Sequence, residues 1–133
     1  MAASTEEVRT GGVAAVLDRL RRILPEDALI TDPARLRTYE CDGLAYYRVT
    51  PALVVLARNT GDIRAAVAAC AAEHVPFVAR GSGTGLSGGA LPHADGVLIV
   101  MSQMREIREL SPADQRAVVD PGVINLEVST TTC

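Results

Sequence analysis

The eleven residues from Arg80 to Ala90 constrain this chain more than any other segment of it. They read Arg-Gly-Ser-Gly-Thr-Gly-Leu-Ser-Gly-Gly-Ala, with five glycines in nine positions. Each glycine loses more backbone freedom on folding than alanine would, so the segment costs about 3–5 kcal/mol. Such a cost requires compensation, and bare N–H groups suit an anionic ligand that the backbone approaches closely.

Length and charge exclude several classes of protein. The 133 residues form one domain at most, and the net charge of −3 comes from interspersed acids and bases without a basic patch. Only four residues are aromatic, which disfavours a surface that stacks bases. We therefore expect no nucleic-acid partner. All 13 basic residues are arginine, which excludes a Schiff-base lysine and a Walker phosphate lysine.

The termini and the cysteines bear on location. The three isolated cysteines fit neither a disulfide framework nor a zinc site, and a reduced, cytoplasmic setting is the simplest interpretation. Residues 1–12 are expected to be a disordered leader, since they carry acids and lack the apolar stretch of a signal peptide. The apolar runs are too short to span a bilayer, so no transmembrane segment is expected.

Periodicity and breaker residues predict an α+β fold of α/β-like character, with a βαβ unit and a small mixed sheet. The glycine segment follows a strand and precedes another, so it is a strand-to-strand loop. The predicted elements are a helix over 13–24, a short helix over 33–39, a strand over 52–57, a helix from Thr60 to His74, strands over 75–79, 96–101, 107–110 and 117–120, and a helical turn from Asn125.

Four interpretations compete for the glycine segment. A Walker loop fails without lysine, and a Rossmann fingerprint, matched in letters by Gly83, Gly85 and Gly88, must run directly into a helix. A flexible surface hairpin explains the glycines but not the hydroxyls among them. A loop that wraps a pyrophosphate with successive N–H groups explains both, with Ser82, Thr84 and Ser87 as further donors. Arg80 would either pair with phosphate or brace the loop.

The segment and its surroundings resemble a known family. The loop is similar to the pyrophosphate loop of the FAD-binding domain in p-cresol-methylhydroxylase-type and vanillyl-alcohol-oxidase-type flavoproteins. The residues Tyr39-Glu-Cys-Asp-Gly-Leu-Ala resemble a segment of the glycolate oxidase flavin subunit and of D-lactate dehydrogenases. The strand at 51–55, the approach at 75–78 and the Val-Asp-Pro-Gly-Val run at 119–123 match in the same order, so the resemblance covers residues 13–128.

The resemblance implies a cofactor, its binding residues and a substrate class. It implies FAD held by the residues Arg80, Gly81, Ser82, Gly83, Thr84, Gly85, Leu86, Ser87, Pro121 and Gly122. Some relatives attach FAD through a histidine in this loop, and residues 80–90 contain none, so non-covalent binding is expected. The implied reaction is hydride transfer from a small 2-hydroxy acid such as glycolate or D-lactate, with a possible electron-transfer subunit as partner.

The resemblance ends before the second flavin segment and the substrate domain of such enzymes. We therefore expect residues 13–133 to be the N-terminal lobe of a longer enzyme, inactive alone. The alternative is a non-catalytic nucleotide-binding remnant or a module completed by another chain. No catalytic residue or metal ligand is predicted: His74 closes a helix, His93 is an exposed loop residue, Asp42 belongs to a turn and Cys70 to the core.

Overall fold

The computed structural model describes the backbone of residues 5–131 and the side chains of residues 11–131. Two short 3-10 turns, Glu26–Ala28 and Arg37–Tyr39, accompany the regular elements. The helices and strands run in the order α1 (Thr5–Leu20), β1 (Leu29–Ile30), α2 (Pro33–Leu36), β2 (Leu53–Leu56), α3 (Thr60–Ala72), β3 (Phe77–Arg80), β4 (Val97–Val100), β5 (Ile107–Ser111), β6 (Arg116–Val119) and α4 (Asn125–Thr131). The predicted α+β class is confirmed.

A four-stranded mixed sheet with the order β1-β2-β4-β3 organises the fold. Strands β2, β4 and β3 are parallel, and β1, which the sequence analysis missed, adds an antiparallel edge. The βαβ unit is present, but β2 and β3 do not pair directly. The reason is burial: β4 is buried along its whole length and takes the centre, whereas Phe77 of β3 is 42% exposed at the edge.

Two hydrophobic clusters cover the two faces of the sheet. Leu53 and Val55 of β2 face the cluster that α1 and α3 complete, and Val54 and Leu56 face the cluster that contains Leu36 of α2. This alternation follows from the two-residue period of a strand. Helices on both faces leave the carboxyl ends of the parallel strands as the open edge of the sheet.

Helix α1 differs from the prediction at both ends. It begins at Thr5, so residues 5–12, predicted to be part of a disordered leader, are helical; residues 1–4 lie outside the described part. It ends at Leu20, and Ile23, predicted on its inner face, is 65% exposed. Among residues 5–131, no helix has the length and apolarity needed to cross a membrane.

Helix α3 begins at Thr60, as predicted, and is capped at both ends. The side chain of Asn59 accepts the N-cap hydrogen bond, from the N–H of Asp62 at 3.1 Å. At the other end His74 has a left-handed φ of +53°. The N–H of His74 donates to Ala71 O and that of Val75 to Cys70 O, which is the Schellman motif with histidine at the position usually held by glycine.

The chain ends in a two-stranded ribbon and a helix. Strands β5 and β6, predicted over 107–110 and 117–120, pair antiparallel around a turn that contains Gln115 at a φ of +52°. Helix α4 continues through Thr131 in a run predicted to have poor helix propensity; residues 132 and 133 lie outside the described part. Three hydroxyl side chains in this helix donate to backbone carbonyls one turn earlier, which accommodates them there: Ser129, Thr130 and Thr131.

Candidate functional site

The glycine segment lies at the carboxyl edge of the parallel strands. It begins the connection of residues 81–96 between β3 and β4, which are adjacent and parallel. Parallel neighbours require a long crossover, usually a helix, and here an irregular loop serves instead. The last residues of the three parallel strands, Leu56, Arg80 and Val100, are in register. Ligands of open parallel sheets bind at this edge.

The loop offers a continuous series of uncommitted donors. Within residues 5–131, no backbone N–H from Gly81 to Ala90 donates to a protein acceptor. A Cβ added at Gly85, Gly88 or Gly89 would meet nothing within 4 Å. Internal packing therefore does not account for these three glycines. The loop has the properties of an anion cradle: bare amides and no side chains in front of them.

Arg80 braces the loop from inside. It is 8% exposed, its Nη1 donates to Cys41 O at 2.9 Å and to Tyr39 O at 3.3 Å, and its Cζ lies 5.6 Å from the centre of the Tyr39 ring. Gly83 adopts a φ of +77°, and a Cβ there would lie 2.6 Å from Arg80 Cζ. Of the two roles open to Arg80, these contacts favour the brace.

The segment that follows Tyr39 holds the loop from the other side. The N–H of Gly43 donates to Gly85 O at 3.0 Å, and a Cβ on Gly43 would lie 2.7 Å from Thr84 O. Asp42 is a turn residue, as predicted, because its Oδ1 accepts from the N–H of Leu44 at 2.9 Å. Asp42 Oδ2 and Arg80 Nε are buried and have no hydrogen-bond partner among residues 11–131. This junction is therefore polar and tightly packed.

The second predicted segment, Pro121 and Gly122, lies opposite the loop. A Cβ on Gly81 would be 3.7 Å from Pro121 O. The N–H of Gly122 donates to Met104 O at 2.8 Å, and a Cβ on Gly122 would lie 2.6–2.7 Å from the carbonyl oxygens of residues 101, 102 and 104. Glycine is thus required at 122 because the backbone after β4 packs against it.

Loop and second segment together form a cleft of about 450 Å³. Four predicted site residues line it: Ser82, Thr84, Pro121 and Gly122. Leu86 and Ser87 are exposed beyond the lining, with Leu86 69% exposed. The remaining lining residues were not predicted: Ser102, Arg105, Val123, Ile124 and Asn125. Ser102 and Arg105 could have been found, since residues after parallel strands β3 and β4 must meet at one edge.

Other cavities do not contain the predicted residues. One of about 290 Å³ lies between α1 and β2, one of about 310 Å³ between α1 and α3, and one of about 250 Å³ between the β5–β6 ribbon and α4. Each is lined mainly by apolar side chains. Among residues 5–131, no group of three His, Cys, Asp or Glu side chains is placed to hold a metal ion.

The remaining candidates have structural roles. His93 is exposed, as predicted, and its Nδ1 accepts from the N–H of Asp95 at 3.3 Å. Cys70 is fully buried in the core, as predicted, and burial raises the pKa of its thiol to about 11. That thiol is protonated at neutral pH and does not act as a nucleophile.

Comparison with known proteins agrees with this geometry. The family described as FAD binding domain matches residues 51–132. The chain is 46% identical over 115 residues to the glycolate oxidase subunit GlcD of Escherichia coli, covering 86% of this chain and 23% of that protein. It is 30% identical over 132 residues to the mitochondrial D-lactate dehydrogenase [cytochrome] of Arabidopsis thaliana, covering 95% and 23%. The chain thus spans about a quarter of the length of these relatives.

The fold has a counterpart among solved structures. p-Cresol methylhydroxylase superposes with a TM-score of 0.74 at 18% identity, over 91% of this chain and 24% of that one. At this identity the match concerns the fold alone. It confirms the fold that the resemblance implied.

Proposed function

Because this chain belongs to the FAD binding domain family, we propose that its glycine loop and the segment Pro121–Gly122 bind the diphosphate of FAD. The observation that carries this proposal is the series of N–H groups from Gly81 to Ala90 that find no acceptor among the described residues. A hydrogen bond to a charged group contributes about 1.5–3 kcal/mol. Several such bonds would offset the entropic cost of the glycines.

The residues around the cleft would each make a different contact with the cofactor. The backbone of residues 81–85 would donate to the diphosphate, and the hydroxyls of Ser82 and Thr84 would donate from the cleft wall. Exposed Leu86 would supply an apolar contact and Ser87 a hydroxyl beside the cofactor. Pro121 would close the opposite wall. Arg80 would hold the loop in shape through the carbonyls of Tyr39 and Cys41.

Binding is proposed to be non-covalent. Residues 80–90 contain no histidine, cysteine or tyrosine that could form a bond to the flavin. Denaturing the loaded protein and removing the precipitate tests this: the yellow flavin should remain in the supernatant. Flavin retained by the precipitated chain would contradict it.

The reaction proposed for the whole protein is oxidation of a 2-hydroxy acid of the glycolate or D-lactate type. Bound FAD would supply the hydride acceptor, and this chain's residues would hold and orient it. The support is the substrates in the names of the two relatives. One of them is called a subunit, which supports a further chain as a partner; that this further chain transfers electrons is part of the proposal. A cytoplasmic location is proposed because Cys41 and Cys70 are free thiols.

Titration of the 133-residue chain with FAD tests the cradle directly. We expect flavin fluorescence to change on binding, the thermal unfolding midpoint to rise with FAD, and ADP to compete while riboflavin, which lacks phosphate, does not. Unchanged fluorescence and an unchanged midpoint at high micromolar protein would overturn the proposal. If riboflavin competed as strongly as ADP, the site would recognise the flavin ring rather than the diphosphate.

A substrate assay separates the oxidoreductase from a nucleotide-binding module. Glycolate, D-lactate and L-lactate are added without oxygen to the loaded chain and to the loaded full-length protein, and the visible flavin absorbance is followed. Bleaching of the full-length protein by glycolate or D-lactate supports the oxidoreductase. A full-length protein that holds FAD but bleaches with none of the three acids would favour the non-catalytic module.

A further inference from the structure

Among the described residues that line the cleft, Arg105 is the only charged one. The other side chains are hydroxyl, amide or apolar groups, and the predicted cation, Arg80, is not among them. A diphosphate carries negative charge that neutral donors do not balance. The charge of the cleft therefore depends on Arg105.

The backbone fixes where Arg105 stands. Its Nε donates to Ser102 O at 3.0 Å, so the guanidinium is tied to the turn after β4. That turn is held in place by the hydrogen bonds from Met104 N to Met101 O at 3.0 Å and from Gly122 N to Met104 O at 2.8 Å. With Nε anchored, the terminal nitrogens of the guanidinium remain as a two-pronged donor.

Three other arginines near this edge are already committed. Arg58, which follows β2, forms an ion pair with Asp27 at 2.6 Å, and its Nε donates to Gln103 Oε1 at 3.3 Å. Arg108 forms an ion pair with Asp120 at 2.8 Å, which raises the pKa of Arg108, and lies 3.8 Å from Glu106. Arg80 is occupied by two carbonyls and an aromatic ring. Within the described side chains, Arg105 forms no ion pair with an acid. It is the cation of this edge that remains available to a ligand.

We infer that Arg105 binds the diphosphate of FAD in this cleft, the role that the sequence analysis left open for Arg80. The inference rests on the proposed function. A guanidinium matches phosphate oxygens in a two-pronged geometry that lysine cannot reproduce. Ser82 and Thr84 would hold the ligand from the loop side, and Arg105 from the side of the turn.

The test compares Arg105→Gln and Arg105→Lys with a matched control, Arg64→Gln. Arg64 is an exposed arginine on α3, outside the cleft lining. Affinities for FAD and for ADP, which keeps the diphosphate but lacks the flavin, are measured over a range of salt concentrations. Thermal unfolding without ligand checks that all three variants are folded.

We expect R105Q to weaken FAD and ADP by the same factor, about tenfold to a hundredfold. R105K should fall between R105Q and the unchanged chain, and the salt dependence of binding should be shallower in R105Q. The control R64Q should bind both ligands normally. Equal affinities for R105Q and R64Q, or a loss for FAD alone, would overturn this role. Failure of the unchanged chain to bind FAD would instead overturn the proposed function.

Discussion

Two glycine-containing segments face each other across the cleft, and their glycines are needed for different reasons. In the loop, Gly85, Gly88 and Gly89 have open space where a side chain would project, and their N–H groups have no acceptor within the described part of the chain. Across the cleft, three carbonyl oxygens surround the place of a side chain on Gly122, and its N–H donates to Met104 O.

This difference indicates that the loop glycines serve a ligand, whereas Gly122 serves the packing of the chain. Gly122 is explained by the folded chain alone, since any side chain there would collide with the backbone after β4. Gly88 adopts a φ of +76°, so its backbone conformation favours glycine even though the space beside it is open. Gly85 and Gly89 are explained neither by packing nor by a left-handed φ, so their cost needs a source outside the folded chain. Gly83 stands between the two cases, because Arg80 fills the space beside it. Substitutions should therefore divide into those that unfold the protein and those that only weaken binding.

The largest effect is expected from Gly122→Ala. The added methyl group would lie 2.6–2.7 Å from three carbonyl oxygens, and we expect the free energy of unfolding to fall by about 3 kcal/mol. Urea denaturation without ligand measures it. Gly89→Ala, whose methyl group would meet nothing within 4 Å, is the matched control and should not lose stability. Equal stabilities of the two variants would remove the distinction between the segments.

Arg80→Met should cost somewhat less. It removes a charged donor from the buried carbonyls of Tyr39 and Cys41, so the free energy of unfolding should fall by about 2 kcal/mol. The same denaturation experiment applies, with exposed Arg64→Met as control. At a temperature where Arg80→Met is folded, the salt dependence of FAD affinity should be unchanged. A shallower salt dependence would mean that Arg80, rather than Arg105, faces the diphosphate.

Gly85→Ala is expected to act on the ligand instead of the fold. Its Cβ would project into open space and its φ is not left-handed, so stability without ligand should stay equal or rise by about 0.4–1 kcal/mol. FAD affinity should fall by about tenfold, or about 1.4 kcal/mol, because the methyl group would stand beside the backbone that is proposed to donate to the diphosphate. Normal FAD affinity in a folded Gly85→Ala chain would place the cofactor elsewhere.

The sequence predicted where the strands lie along the chain better than it predicted which strands are adjacent in the sheet. Strands β2 and β4 were found because Leu53–Leu56 and Val97–Val100 are unbroken apolar runs, typical of strands buried on both faces. Strand β1 was missed because two residues, Leu29 and Ile30, carry no period. The position of β4 between β2 and β3 could not be predicted from local pattern, since it depends on which strand buries the most apolar surface at the centre of the sheet.

In the candidate site, too, local features were predicted and features that depend on tertiary contacts were not. The loop was found because glycine is locally conspicuous, but Arg105 was missed because its role depends on a meeting of two strand ends far apart in sequence. Two roles of Arg80 stayed possible because an arginine at this position could either brace the loop or pair with a phosphate, and the sequence is the same in both cases. Only its contacts with Tyr39 O and Cys41 O separate them.

The smallest effect tests a position where the backbone favours glycine but the sequence has none. His74 adopts a φ of +53° in the Schellman motif that ends α3, a conformation that costs a residue with a side chain about 1–2 kcal/mol. His74→Gly relieves that strain but adds about 0.5–1 kcal/mol of backbone entropy to the unfolded chain. Stability should therefore rise by about 0.5 kcal/mol, measured by urea denaturation.

His74→Ala is the control for this last comparison, because alanine keeps the backbone strain. It should not gain stability, and FAD affinity should be unchanged in both variants, since the end of α3 lies outside the cleft lining. A gain in His74→Ala equal to that in His74→Gly would attribute the effect to loss of the imidazole rather than to the backbone. The backbone would then require glycine at the cleft and at the turn that packs against Gly122, but not at the end of α3.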